Sequence, residues 1–161
     1  SLPRASMSNP NPYVTVKEEL TYINDYIQIQ KARYRDKIHA EVAVESQLLT
    51  CQIPKLILQP VVENAFVHGL EEKEGPGTVT IQGILNEDEH IMVFRIHDDG
   101  IGMTKAQTEN ILNIVPGKKG GFGISSVQKR IQLLYGKEYG INILSQPGKG
   151  TTVIIRIPAK E

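Results

Sequence analysis

Asp98 stands at the end of the apolar run Ile91-Met92-Val93-Phe94-Arg95-Ile96 and is followed by Asp99-Gly100-Ile101-Gly102-Met103. A strand over that run delivers a carboxylate to a sheet edge, where two glycines let the backbone turn tightly and let a flat ring approach the main chain. A carboxylate accepts well from an exocyclic amine, of which the adenine N6 amino group is a natural example. Asp-Gly by itself is ordinary turn chemistry, so the weight of this pattern depends on two further segments.

The first is Glu63-Asn64-Ala65-Phe66-Val67-His68-Gly69. Asn64 and His68 are four apart and share a helical face. An amide oxygen is a hard ligand suited to Mg²⁺, which takes one or two protein oxygens and completes its shell with phosphate and water. His68 can donate to a phosphate oxygen or, at a helix end, simply answer the helix dipole. Zinc is excluded, because one histidine without cysteines supplies too few soft ligands. The second is the glycine-rich stretch from Gly117 to Gly123, which runs into an amphipathic helix and contains Gly120-Gly121-Phe122-Gly123-Ile124. Free N–H groups and a helix N-terminus bind phosphates. Its length and glycine content suit a lid closing over nucleotide. It fits neither Gly-x-x-x-x-Gly-Lys-Ser/Thr nor Gly-x-Gly-x-x-Gly after a strand, so P-loop and dinucleotide readings fall away. Lys118 and Lys119 on it read as solvated. Gly148-Lys149-Gly150-Thr151-Thr152 opens the last strand, and spacing alone assigns no ligand to a strand-start threonine.

Composition bounds what these segments belong to. The 161 residues fit one domain, and 18 basic against 18 acidic residues leave no field for nucleic acid or an anionic membrane. The single Cys51 excludes an internal disulfide and suits a reducing cytoplasm. No apolar run reaches the ~18–20 residues of a membrane span. The opening Ser1-Leu2, without an initiator Met, reads as a trimmed or excised piece whose membrane anchor lies outside it.

The elements that must position the site follow from periodicity. Residues 1–14, rich in Pro and Asn, read as a loosely ordered lead-in, native or introduced. Thr15-Val16-Lys17-Glu18 has the form of a capping box before a helix over 16–36, with Leu20, Ile23, Ile27 and Tyr34 on one stripe that Tyr26 and Ile29 widen. Ile38, Ala40, Val42 and Val44 alternate as a strand. Ile53 to His68 reads as a second helix with Pro54 in its first turn, and Pro60 predicts a kink or a late start near Leu58. Strands over 78–85 and 90–98 form a hairpin, and a short helix over 104–114 precedes the glycine loop. A helix over 123–135 ends at Gly136, and a second hairpin spans 140–146 and 151–157. The order α-β-α-ββ-α-α-ββ predicts an α/β two-layer sandwich, a mixed and mostly antiparallel sheet covered on one face by helices.

The order of Asn64 box, Asp98-x-Gly100-x-Gly102, glycine lid and terminal Gly150-Thr151 resembles the ATPase-like superfamily of gyrase, Hsp90, histidine kinases and MutL. Leu58-Gln59-Pro60-Val61-Val62-Glu63-Asn64-Ala65 and Gly121-Phe122-Gly123-Ile124, followed by Val127, Arg130, Ile131 and Leu133-Leu134-Tyr135-Gly136, look like the LytS/YesM-type sensor histidine kinases. The helix from Glu18 to Tyr34 is similar to the segment joining their phosphoacceptor region to the catalytic domain. The resemblance covers about residues 15–160. It implies a Bergerat-type fold, a linking helix over 15–37 and an ATP-binding catalytic domain over 38–161. It also implies ATP and Mg²⁺ as ligands. Asn64 would coordinate Mg²⁺, and Asp98 would bind the adenine amino group. Gly100 and Gly102 would line the base pocket, Gly121 and Gly123 would border the phosphates, and Thr151 would assist at the base. Val67 stands where these kinases often carry a Lys, so phosphate neutralisation shifts to His68, Mg²⁺ or Arg130.

The superfamily's hydrolases carry a Glu four residues before the Asn; here that position is Pro60, and Glu63 points about 100° round the helix. Slow hydrolysis and phosphoryl transfer are therefore expected. None of His39, His68, His90 or His97 sits in an Asn-Pro-His type segment, so the phosphoacceptor histidine lies outside this chain. The implied partners are that phosphoacceptor region of a parent kinase, homodimeric when full-length, and a response regulator. The membrane enters only through segments outside this chain, which is expected to be the cytoplasmic part of a membrane-anchored bacterial kinase. A superfamily ATPase, distinguished by multi-turnover phosphate release, and a nucleotide-sensing module without chemistry are the rival readings.

Overall fold

The computed structural model describes residues 11–113 and 123–160. Thr15 sets the first helix. Its hydroxyl accepts from Glu18 N at 3.1 Å and the Glu18 carboxylate accepts from Thr15 N at 3.0 Å, the reciprocal cap expected from the sequence. Helix α1 (Val16–Tyr34) follows a three-residue strand β1 (Tyr13–Thr15) that the proline-rich lead-in concealed. The α1 stripe Leu20, Ile23 and Ile27 is buried, but Ile29 is 64% exposed and does not widen it. One 3-10 turn (Arg35–Lys37) then leads into β2 (Ile38–Val44).

The stretch read as a helix from Ile53 behaves otherwise. Gln52–Pro54 form β3, antiparallel to β1 with Tyr13 opposite Pro54. Two strands of three residues are too short for periodicity to reveal. Helix α2 (Gln59–Asn64) starts late, with Pro60 in its first turn, where a missing N–H costs little. The helix then widens into a π turn over Ala65–Leu70, marked by the Glu71 N to Phe66 O bond at 3.0 Å.

Strands β4 (Gly77–Asn86) and β5 (Ile91–Asp98) make the first hairpin, and β6 (Gly140–Gln146) and β7 (Gly150–Pro158) the second. The five-stranded sheet runs β2-β4-β5-β7-β6, with β2 parallel to β4 and every other pair antiparallel. Helix α3 (Lys105–Leu112) is held by a second reciprocal cap, Thr104 with Gln107, and has no fully buried residue. Helix α4 (Ile124–Tyr135) buries Ile124, Val127 and Ile131 and stops at Gly136, whose φ of +106° a glycine accommodates.

Strand alternation sorts the sheet into two faces. Met92, Phe94 and Ile96 of β5 join Ile23, Val61, Phe66 and Ile131 in one core, whereas Arg95 and His97 point to the open side. The two-layer α/β sandwich with helices on one face is therefore observed. Asp98 falls on the core side by the same alternation. The glycine loop, with Lys118, Lys119 and Gly121, lies outside the described residues.

Candidate functional site

A cavity of about 360 Å³ opens where the helices meet the ends of the sheet, within the ~300–1,000 Å³ usual for small-molecule sites. Four of the residues singled out from sequence line it: Asn64 and His68 on the Asn-bearing helix, Gly102 in the loop after β5, and Gly123 at the start of α4. The four-residue spacing of Asn64 and His68 thus places both on one wall.

Asp98, Gly100 and Thr151 form a second group that does not line this cavity. Asp98 is 3% exposed and sits on the helix-facing side of the sheet rather than at an open edge, which corrects the simplest picture of its delivery. Its Oδ1 accepts from Gly100 N at 2.9 Å. Burial pushes its carboxyl up to about 6 from 3.8, against the downward pull of the Gly100 N–H and the His97 charge, with Asp99 adding to the rise. Asp99 does different work: it accepts from Thr78 N at 2.7 Å and pairs with Lys73 at 3.4 Å, fixing the loop to the start of β4.

Close backbone approach dictates the glycines. A Cβ on Gly100 would lie 2.0 Å from Gly69 O, and one on Gly69 would lie 2.5 Å from Asp98 Oδ1. The loop is pinned to the helix end by Ile101 N to Gly69 O at 3.2 Å and to the second hairpin by Gly148 N to Ile101 O at 2.6 Å. Opposite Asp98 in the ladder stands Thr151, whose hydroxyl pairs with Ser145 Oγ at 2.7 Å; Ser145 Oγ also accepts from Met103 N at 2.8 Å. Thr152 alternates to the other face and meets His97 Nδ1 at 2.8 Å.

One expectation about charge changes, and one holds. Arg130 does not line the cavity; its guanidinium donates to Leu56 O at 2.9 Å and Lys55 O at 2.6 Å, so it is committed to holding a backbone segment rather than a phosphate. Glu63 does not line it either, and lies near enough to Tyr26 to help burial raise that phenol to about 12. Sequence reasoning passed over Gly69, Ser145, and the wall formed by Glu72, Gln107 and Asn110. Gly69 was legible as the last residue of the Asn64 segment, and Gln107 and Asn110 as a three-residue polar pair on α3. Ser145, an unremarkable strand serine, carries no local signal.

The histidine kinase-, DNA gyrase B-, and HSP90-like ATPase family matches residues 52–161, and the histidine kinase family matches residues 1–38. The sensor histidine kinase BtsS of Escherichia coli is 30% identical over 158 residues, covering 98% of this chain and 26% of its own. The sensor histidine kinase YesM of Bacillus subtilis is 31% identical over 157 residues, with the same two coverages of 98% and 26%. The chain therefore spans about a quarter of the length of these relatives. Among solved structures, the catalytic domain of histidine kinase ThkA superposes with a TM-score of 0.67 at 16% identity, covering 92% of this chain and 97% of that one, a likeness of fold. The Bergerat-type sheet, the Asn64 helix over one end of it and the match across two thirds of the sequence make this chain a member of the histidine kinase-, DNA gyrase B-, and HSP90-like ATPase family.

Proposed function

We propose that the chain is the ATP-binding catalytic domain of a sensor histidine kinase and presents Mg²⁺-ATP to a phosphoacceptor histidine outside this sequence. The observation that carries the reading is the convergence of Asn64, His68, Gly102 and Gly123 on one cavity of about 360 Å³, with Asp98 buried beside it. The residues fit the ligand. Gly69 leaves the Asp98 carboxylate without a neighbouring Cβ on the helix side, a cradle any side chain there would fill, and Gly100 lets the loop lie directly on the Gly69 backbone. Among the described residues no group of three or more His, Cys, Asp or Glu converges, so the donor set is the Asn64 amide oxygen completed by phosphate and water, which suits Mg²⁺.

Bound Mg²⁺-ATP supplies the transferable γ-phosphoryl group and the charge neutralisation it needs. Asn64 orients the cation, His68 donates to a phosphate oxygen, and Asp98 accepts from the adenine amino group. Gly102, at φ +70° and with Gln146 O only 1.9 Å from where its Cβ would stand, keeps the base-side loop flush with the hairpin. Thr151 assists at the base through the hydroxyl it shares with Ser145. Gly123 borders the phosphates. Pro60 and Glu63 offer no general base near Asn64, which favours transfer over hydrolysis.

The parent kinase is read as a membrane-anchored homodimer with this domain in the cytoplasm, passing phosphate to a response regulator. Among the described residues no helix is long and apolar enough to cross a membrane. Calorimetric titration with ATP, with and without Mg²⁺, tests the site. Asn64→Ala is expected to abolish the Mg²⁺ dependence while sparing metal-free binding. Addition of the parent's phosphoacceptor segment is expected to yield phosphohistidine; tight ATP binding with no transfer would overturn the kinase reading.

A further inference from the structure

The helix bearing Asn64 begins without a cap of its own: Leu58 offers no side-chain acceptor and Pro60 has no N–H. One side chain from another helix takes the orphan donors. Glu19 of α1 accepts from Leu56 N at 2.6 Å through Oε1, and from Ile57 N at 3.0 Å, Leu58 N and Gln59 N at 3.4 Å through Oε2. Glu19 is 1% exposed. Burial pushes its carboxyl up, and the four N–H groups pull it back. Arg130 of α4 grips the same segment through its carbonyls at Lys55 and Leu56. Residues 55–59 are therefore held by α1 through N–H groups and by α4 through C=O groups.

That segment does not rest in a relaxed shape. Leu56 has φ +59°, a left-handed conformation that is strained for a residue with a Cβ. Gln59 Oε1 is buried without a hydrogen-bond partner among the described residues. Such features persist only where the surroundings over-determine them. Helix α1 continues along the widened helix: the Tyr26 ring meets Phe66 edge-on at 5.6 Å, and the Tyr34 hydroxyl donates to Glu71. It thus touches the helix ahead of, between and beyond Asn64 and His68. Ile124 and Ser125, at the start of α4, line the cavity opposite, so the clasp joins two of its walls.

We propose that Glu19 and Arg130 are positioning residues of the nucleotide site, a two-sided clasp on segment 55–59 that fixes where the Asn64 helix starts and where its amide oxygen points. The proposal rests on the Mg²⁺-ATP reading of the cavity. A merely structural role lowers stability alone; a positioning role weakens Mg²⁺-ATP selectively, because the base-side loop, though it meets Gly69 at the far end of that helix, is also tied to the second hairpin through Gly148 N and to β4 through Asp99, which the clasp does not touch.

The test is titration of the whole chain with Mg²⁺-ATP and, separately, with adenosine, at a temperature where circular dichroism shows each variant folded. Glu19→Gln is expected to weaken Mg²⁺-ATP at least tenfold while changing adenosine affinity less than twofold. Arg130→Met is expected to give the same split, and the double variant to be no more than twofold weaker than the worse single one. Wild-type Mg²⁺-ATP affinity in both variants, or parallel loss of Mg²⁺-ATP and adenosine, would overturn the proposal. Should Glu19→Gln fail to fold, Arg130→Met decides by the same two criteria. A wild-type chain that binds neither ligand is a separate outcome: it sinks the site reading, and the clasp with it.

Discussion

Asp98 carries an electrostatic cost written into its position. Its carboxyl titrates near 6 when folded and at about 3.8 in an open chain, so the folded state holds the proton more tightly. Stability attributable to this group is therefore fully present below about pH 4 and is lost as pH rises through about 6, a loss of roughly 3 kcal/mol at 1.36 kcal/mol per unit. Asp98→Asn keeps an acceptor for the Gly100 N–H and removes the penalty. Thermal melts from pH 4 to 8 are expected to show the variant overtaking wild type above pH 6. ATP affinity is expected to fall about 10- to 150-fold, the worth of a charge-assisted hydrogen bond of roughly 1.5–3 kcal/mol. Gly69→Ala tests the same carboxylate from the other side, since its Cβ would stand 2.5 Å from Asp98 Oδ1. Loss of at least tenfold in adenosine affinity with the circular dichroism spectrum preserved is the expected result. Unchanged affinity would mean the carboxylate moves aside without consequence.

At the scale of elements, the cavity depends on short pieces whose stability comes from caps and clamps. Helix α3 supplies one wall through Gln107 and Asn110 yet buries nothing fully, so its Thr104–Gln107 cap matters more than in a packed helix. Thr104→Ala is expected to cost about 1 kcal/mol locally and to raise amide exchange across residues 105–112 before any global change. Legibility followed element length. The two hairpins, α1, α4 and the core-side placement of one sheet face were written in periodicity and turn chemistry. The strands β1 and β3 were not, because three residues hold less than two alternations and their pairing joins segments about forty residues apart. Pro60 predicted the late helix start correctly, but the π turn after Asn64 leaves no compositional mark. The cavity residues on the Asn64 helix were readable from spacing. The Asp98 group was readable only as residue types, since its burial follows from which glycine backbones lie against it.

Across the whole molecule, the α1 stripe and the inner sheet face share one core, with Ile23, Phe66 and Phe94 all essentially inaccessible. Phe94→Ala is expected to cost about 3–5 kcal/mol in urea unfolding, with far-ultraviolet circular dichroism and tyrosine fluorescence moving together in a single transition. Separate transitions would show that α1 melts on its own. Gly100 lies against Gly69, and Gly150 against Asp98, joining stretches roughly thirty and fifty residues apart in the chain. Those seams close longer loops than the hairpin turns do, so the pocket is expected to be among the last features a folding chain completes. Nucleotide then acts as a brake on escape from the native state and leaves the speed of reaching it almost untouched.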